Sequence, residues 1–233
     1  MNRHFKPPIA KKTEKKISIH GHTRIDPYYW MNDREDPEVL EYLKAENHYT
    51  KKVLEHTESL QEIIYDEIVG RIDQTDMSVP YFLNGYYYYT RYENGKEYPV
   101  YCRKKNSLDS PEEIMLDVNE MAKGHEFFNI AGMNVSPDNK LLSYGIDTVS
   151  RRKYTLQIKN LETGEIYPDR IPNTTGSVAW ASDNKTIFYT TKDETTLRPD
   201  KIFRHELRAN KLDELIYQEK DETFTTYVYT SKS

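Results

Sequence analysis

Cysteine is almost absent from the sequence: Cys102 is the single one among 233 residues. A lone cysteine excludes an intramolecular disulfide and any zinc site that needs paired cysteines, and it is typical of proteins kept in a reducing compartment. The sequence also lacks a run of roughly 18 apolar residues, which a membrane-spanning helix needs. Its basic start leads into further lysines instead of the apolar segment of a secretion signal. We therefore predict a cytoplasmic location and no membrane partner.

Neither sign of charge dominates the composition. The sequence has 33 Lys and Arg against 38 Asp and Glu, a formal net charge of -5. This balance gives no electrostatic reason for binding to a nucleic acid or to an anionic membrane, so we expect neither as a partner. With 36% hydrophobic residues, the chain is long enough to bury the core of one large or two modest domains.

The common catalytic and phosphate-binding signatures are missing as well, including G-x-S-x-G, G-x-G-x-x-G, the P-loop and H-E-x-x-H. His20 and His22 have the spacing of two metal ligands, but only Asp26 offers a nearby third, so we interpret them as turn or surface histidines. Cys102 lies in an alternating segment, where a thiol is usually a small core residue, and a nucleophilic role would need an oriented histidine. We therefore predict no catalytic residue, no metal and no cofactor in this chain.

The first third of the chain is predicted to be helical after an irregular start. Residues 1–16 are rich in lysine and contain proline without periodic apolar residues, which predicts an extended or mobile arm. From Asp36-Pro37 to Gly70, apolar residues recur at intervals of three and four, with an interruption at Glu55-His56-Thr57. This pattern predicts either a helical hairpin or one broken helix.

A change in composition follows the helical segment. The stretch from Arg71 to Pro80 is polar, has no period and ends in a proline, which indicates a domain boundary or a hinge. We divide the chain into an N-terminal arm with helices, residues 1–76, and a second domain, residues 77–233.

The second domain is predicted to consist of strands. Twenty tyrosines against nine glycines, with many Thr, Val and Ile, favour strands. Asn84-Gly85 and Glu93-Asn94-Gly95 are typical of tight turns between three strands. Residues 135–144 then match residues 180–189 in pattern, each copy being a strand, an Asp-Asn-Lys turn and a strand, and each continuing into two more strands. Four strands in roughly 40 to 50 residues indicate a β-propeller blade, with a β-sandwich as the alternative.

The number of blades is too small for a closed ring. At roughly 45 residues per blade, residues 80–233 supply about three blades, whereas propellers close with 4 to 8. Residues 224–229 are predicted to begin another blade. The predicted fold is therefore mainly β with an N-terminal helical segment, a partial, about three-blade β-propeller, and the chain is expected to be the front part of a longer protein.

Six stretches occur in one order along the chain: His20 to Met31, Glu41 to Asn47, Ser150 to Tyr154, Lys159 to Gly164, Thr196 to Pro199 and Tyr217 to Glu222. In this order they resemble the amino-terminal part of the prolyl oligopeptidase family, in the branch of oligopeptidase B, or protease II. The resemblance covers nearly the whole chain from about Pro7 onward. His22 and Asn32 depart from the family's pattern, which affects local surface contacts only.

The resemblance implies the front part of a seven-bladed propeller that caps a C-terminal α/β-hydrolase domain absent from this chain. That domain would be the chain's partner, and it would cleave short peptides after Arg or Lys with a serine nucleophile while the propeller gates their access. The family's Ser, Asp and His belong to the hydrolase domain, so none is carried onto this sequence, and the chain alone is expected to be inactive. The alternative function is an independent propeller-type module that binds a peptide or protein without enzymatic activity.

One cluster of charges is a candidate for contact with a partner. Arg151, Arg152 and Lys153 follow a turn and precede a strand, which places three cations on a loop at the end of a blade. Such a cluster is usually only solvated, but loops at the ends of propellers also contact partners and peptides. We therefore select Arg151 and Arg152 as candidates for interdomain contact or substrate gating.

Overall fold

A β-hairpin opens the part of the chain that the structure describes. The computed structural model describes residues 5–231. Strands β1 (Lys15–Ile19) and β2 (His22–Asp26) are antiparallel. His20 and Gly21 both have positive φ, 52° and 77°, which is the backbone of a type I′ hairpin turn. The sequence did not predict this hairpin, because nearly all of its side chains are exposed and no apolar alternation marks its strands.

A helical segment follows the hairpin. A 3-10 turn covers Tyr29–Asn32, and helix α1 (Pro37–Leu54) then begins where the Asp36 carboxylate accepts the backbone N–H of Glu38 at 2.8 Å. A 3-10 turn links it to helix α2 (Glu58–Val69), and the backbone stays in the right-handed helical region through the link. Of the two predicted alternatives, the structure therefore has one broken helix. None of the helices in the described part of the chain is long and apolar enough to cross a membrane.

The contacts divide the chain into two compact units between Ile72 and Asp73. This position lies inside the polar stretch from Arg71 to Pro80 that the sequence marks as a boundary. The limits chosen above, residues 1–76 and 77–233, stay predictions.

The second unit begins with a four-stranded antiparallel sheet in chain order, here called blade 1. Its strands are β3 (Tyr81–Leu83), β4 (Tyr86–Arg91), β5 (Val100–Lys105) and β6 (Glu112–Asp117). The Asn84-Gly85 turn between β3 and β4 has positive φ at both residues. A short helix, α3 (Val118–Met121), then leads to the second sheet.

The second sheet has seven antiparallel strands, again in chain order. They are β7 (Asn129–Val135), β8 (Leu141–Asp147), β9 (Tyr154–Asn160), β10 (Ile166–Trp180), β11 (Thr186–Lys192), β12 (Pro199–Glu206) and β13 (Glu214–Gln218). β10 is long because two predicted strands run on without a break. Its register shifts between Ile171 and Thr174 against β9, and again between Thr174 and Val178 against β11. We call β7 to β9 with residues 166–171 blade 2, and residues 174–180 with β11 to β13 blade 3.

Close backbone contact explains the glycines at the centre of this sheet. A Cβ on Gly132 of β7 would lie 2.0 Å from the carbonyl oxygen of Gly176 in β10, and a Cβ on Gly145 of β8 would lie 2.6 Å from the Gly176 Cα. No side chain fits at these positions without moving the backbone.

The core lies between the flanks of neighbouring blades. One buried cluster joins blade 1 to blade 2 through Tyr88, Met115, Leu116, Leu142 and Tyr144. A second joins blades 2 and 3, with Leu156, Ile158, Trp180, Ile187 and Tyr189 among its members. The sheets of residues 5–231 do not close into a ring. These features confirm the predicted fold class, mainly β with an N-terminal helical segment and a partial propeller.

One predicted strand is wrong. Residues 224–229 were expected to begin another blade, but they adopt no regular structure. Within the described part of the chain, these residues form one backbone hydrogen bond with a strand. The Thr226 N–H donates it to the Pro199 carbonyl at 3.0 Å. Aromatic and β-branched residues form a strand only where a neighbouring strand offers hydrogen bonds.

Candidate functional site

The loop that carries Arg151 and Arg152 joins β8 to β9, and we call residues 148–153 the cationic loop. Asp147, the last residue of β8, is buried, and its carboxylate accepts three backbone N–H groups of the loop. They belong to Val149 at 2.9 Å, Arg151 at 3.0 Å and Arg152 at 2.7 Å. A short acidic side chain that binds the following backbone holds a turn in one conformation. The sequence therefore presents these arginines on a fixed loop.

The side chains of Arg151 and Arg152 are exposed at this blade end. Within residues 5–231 neither guanidinium forms an ion pair or a hydrogen bond with another side chain. An arginine that is not neutralised by its own chain is available to a carboxylate of another molecule or domain. The structure places both residues on an exposed loop at a blade end, and their role in interdomain contact or substrate gating stays a prediction.

Lys192 joins the cluster from the next blade, and the sequence did not single it out. Its Nζ donates a hydrogen bond to the backbone carbonyl of Arg152 and lies 5.7 Å from the ring centre of Tyr154. Partial burial lowers the pKa of the Lys192 ammonium, the positive charge of Arg152 lowers it further, and Asp147 acts in the opposite direction. The sequence repeat could have pointed to this residue. Lys192 ends the second strand of blade 3, and it therefore corresponds to Asp147, which ends the second strand of blade 2.

The other residues considered from the sequence lie away from this cluster. Cys102 is fully buried in β5, and burial raises the pKa of its thiol to about 12. His20 lies in the turn of the N-terminal hairpin and His22 begins its second strand. No group of three or more His, Cys, Asp or Glu side chains in the described part of the chain is placed to hold a metal ion.

A second polar cluster lies at the opposite end of blades 2 and 3. The His205 ring contacts Asp213 through Nδ1 at 2.6 Å and Asp169 through Nε2 at 2.9 Å. Tyr189 donates its hydroxyl to the other oxygen of Asp213 at 2.6 Å. These contacts join β10, β11, β12 and the loop before β13, so the cluster holds the sheet together.

Comparison with known proteins gives a match over almost the whole chain. The family model described as "Prolyl oligopeptidase, N-terminal beta-propeller domain" matches residues 7–233. Dipeptidyl aminopeptidase BI of Pseudoxanthomonas mexicana is 40% identical over 236 residues, which cover 94% of this chain and 33% of that protein. Protease 2 of Moraxella lacunata is 37% identical over 237 residues, which cover 98% of this chain and 34% of that protein.

Solved structures agree with this match. Oligopeptidase B from Leishmania major has a TM-score of 0.85 at 32% identity, over 97% of this chain and 34% of that one. Oligopeptidase B from Trypanosoma brucei, in a closed form with covalently bound antipain, has a TM-score of 0.81 at 29% identity, over 94% of this chain and 33% of that one. The chain therefore spans about a third of the length of the relatives that it matches.

Proposed function

The chain belongs to the prolyl oligopeptidase family, and we propose that it serves as the amino-terminal propeller portion of a serine peptidase resembling oligopeptidase B. In this proposal, a C-terminal α/β-hydrolase domain of the same protein cleaves short peptides after Arg or Lys. The propeller limits access to that domain, and the arm and helices pack on it. The chain itself supplies no nucleophile and no catalytic base.

The observation that carries this proposal is the family match over residues 7–233, combined with coverage of only a third of each relative. Apolar side chains on the helices support a packing role. Leu43, Leu60, Ile63 and Ile68 are each more than half exposed. Leu43 lies on α1 and the other three lie on α2, and exposed apolar surface of this kind is typical of a region that contacts another domain.

The cationic loop is proposed to contact the hydrolase domain. Arg151 or Arg152 pairs with a carboxylate there and so biases the open and closed arrangements of the two domains. An exposed pair contributes only about 0 to 1 kcal/mol, so its effect should be found in gating and not in fold stability.

The test of the activity uses the protein encoded by the complete reading frame. We expect the coding sequence beyond residue 233 to continue into further strands and then a G-x-S-x-G segment. The purified protein should hydrolyse N-blocked Arg and Lys amides at least about 100-fold better, in kcat/KM, than the Leu or Pro amide, because a buried carboxylate in the specificity pocket has no partner with a neutral substrate. Dipeptide amides with a free amino terminus belong in the panel, because one relative is named a dipeptidyl aminopeptidase.

The test of the loop uses the same protein. At least one of Arg151→Ala and Arg152→Ala should change kcat/KM or its dependence on salt, while the thermal stability of both variants stays the same within about 0.5 kcal/mol. If both variants leave kcat/KM and its salt dependence unchanged, the loop has no gating role.

Inactivity of the chain alone is part of the proposal. Acyl transfer needs a nucleophile, a base and an oxyanion hole in one site. Turnover of an Arg ester by the purified 233-residue chain that is lost when one of its serines or Cys102 is substituted would contradict the proposal. Such a result would also contradict the alternative of a binding module without activity.

A further inference from the structure

A cavity of about 410 Å³ lies beside the cationic loop, between the ends of blades 2 and 3. Arg152 and Lys192 line one part of it, and Leu197, Pro199 and Tyr227 contribute its apolar walls. This volume is near the lower end of the range for small-molecule sites. It is suited to the last residue or two of a peptide and not to a folded chain.

The charged residues that line this cavity are all cations. Its lining residues include two cations and no carboxylate, whereas the cavity at the far end of blade 3 is lined by Lys185, Arg204 and Lys211 together with Asp183, Glu206 and Glu214. The Asp147 carboxylate, which acts on Lys192, is buried and already accepts three backbone N–H groups. Arg152 and Lys192 repel each other, and an anion bound between them lowers that repulsion.

The backbone around the cavity is held in an uncommon conformation. Within residues 5–231, Ser150, Arg152, Leu197 and Arg208 are the non-glycine residues other than Asn and His that have positive φ. Three of these four lie in the two loops at this cavity, and Arg152 and Leu197 line it. Left-handed backbone costs such residues roughly 1–2 kcal/mol, and it persists mainly where the surroundings require that geometry. The loops thus hold a cation and an apolar wall in fixed positions.

We infer that this cavity binds the carboxylate of a short peptide, with Arg152 and Lys192 as the groups that bind it and Leu197, Pro199 and Tyr227 in contact with the adjoining apolar side chain. The inference rests on the proposed function only for the choice of peptides as the ligand class. The carboxylate comes either from the terminus of the peptide or from an acidic side chain.

The binding experiment uses the 233-residue chain and three probes, followed by chemical shifts of backbone amides. The probes are N-acetyl-Phe-Leu with a free terminal carboxylate, its terminal amide, and N-acetyl-Phe-Glu amide, in which only the side chain is acidic. We expect at least one of the two acids to bind and the neutral amide to bind at least about fivefold more weakly. Binding of the acids should weaken as salt is raised, because ions screen the attraction. The acid that binds identifies the source of the carboxylate.

Two variants and one control assign the binding groups. Lys192→Gln removes the ammonium, and Arg152→Asn removes the guanidinium while keeping a residue that tolerates positive φ. Each variant should bind the acidic probe at least about fivefold more weakly, as expected for loss of a hydrogen bond to a charged group. The matched control, Lys185→Gln, removes the same charge just before the other end of β11 and should change binding less than twofold. Unchanged shifts elsewhere in the sheet show that a variant is folded.

Several results would overturn the inference. They are the absence of binding by both acids at millimolar concentration, equal binding of acid and amide, and equal effects of Lys185→Gln and Lys192→Gln. These results do not depend on hydrolysis. They are therefore distinct from failure of the proposed peptidase, which is measured as turnover by the longer protein.

Discussion

Cys102 shows how burial determines the chemistry of one residue. Its thiol has no exposed surface, and burial, together with the nearby Glu112 carboxylate, raises its pKa to about 12. Only the thiolate reacts with disulfides or alkylating agents. We expect less than about 0.1 equivalent of Cys102 to react with an aromatic disulfide at pH 8, and one equivalent after denaturation. Rapid reaction of the folded chain would show that blade 1 opens or that the thiol is a nucleophile.

Arg103 is the buried cation of blade 1. It pairs with Glu113 on the neighbouring strand at 2.7 Å, donates to the Asn139 carbonyl of blade 2 at 2.7 Å, and lies 4.1 Å from the ring centre of Tyr86. Arg103→Met breaks all three contacts, and we expect it to lower the free energy of unfolding by about 2–4 kcal/mol, measured in urea.

A matched control exists for Arg103. Arg204 and Glu214 lie opposite each other on neighbouring strands of blade 3, as Arg103 and Glu113 do in blade 1. Both Arg204 and Glu214, however, are about half exposed. Arg204→Met should therefore cost at most about 1 kcal/mol. Equal losses in the two variants would mean that burial of the ion pair is not what matters.

At the scale of elements, the turn after the first strand of each blade also joins one blade to the next. Asn139 has a φ of 64° and donates through Nδ2 to the Asn84 carbonyl of blade 1 at 3.0 Å. Asn184 has a φ of 58° and accepts through Oδ1 from the Asp138 N–H of blade 2 at 2.9 Å. The same residue type thus serves both the turn and the contact between blades.

Substitution of Asn184 separates these two roles. Asn184→Gly keeps the positive φ and removes only the hydrogen bond, which should lower the free energy of unfolding by about 0.5–1.5 kcal/mol. Asn184→Ala adds the cost of a left-handed alanine and should lose about 1–2 kcal/mol more. Equal losses for Gly and Ala, measured by urea unfolding, would mean that the turn conformation is not a constraint.

The elements that the sequence predicted are those with a strong local signal. The Asp-Asn-Lys turns at Asp138 and Asp183 mark a repeat that the structure confirms as blades 2 and 3. The hairpin at His20 was missed because its strands bury almost nothing. The contact between Lys192 and Arg152 could not be predicted from local sequence. The two residues are 40 positions apart and meet only because blades 2 and 3 lie side by side.

At the scale of the whole molecule, the last strand leaves an open edge. Among the strands of residues 5–231, β13 pairs only with β12, and every residue of Glu214–Gln218 is exposed. Leu215, Ile216 and Tyr217 are each 47% exposed on this strand. An unpaired strand that carries apolar side chains is a template for pairing with another chain.

The helical unit exposes further apolar surface. Leu40, Leu43, Val53 and Ile64 are between 40% and 51% exposed, whereas Trp30 is partly covered and donates through Nε1 to the Lys11 carbonyl. At roughly 25 cal/mol per Å², a few hundred Å² of exposed apolar area forfeits several kcal/mol, which is comparable with the stability of a domain. Four of these five residues thus present apolar surface to solvent.

The 233-residue chain is therefore expected to be marginally stable and to self-associate through its β13 edge. Light scattering should give a mass that rises with protein concentration, and the melting transition should be broad and dependent on concentration. Ile216→Lys places a charge on the open edge and should reduce the association without lowering the melting temperature. The control Lys96→Gln, on the exposed connection between β4 and β5 of blade 1, should leave the association unchanged. A monodisperse monomer with a sharp, concentration-independent transition above about 65 °C, the upper end for ordinary domains, would contradict the expectation, because the open edge and the exposed helices would then carry no cost.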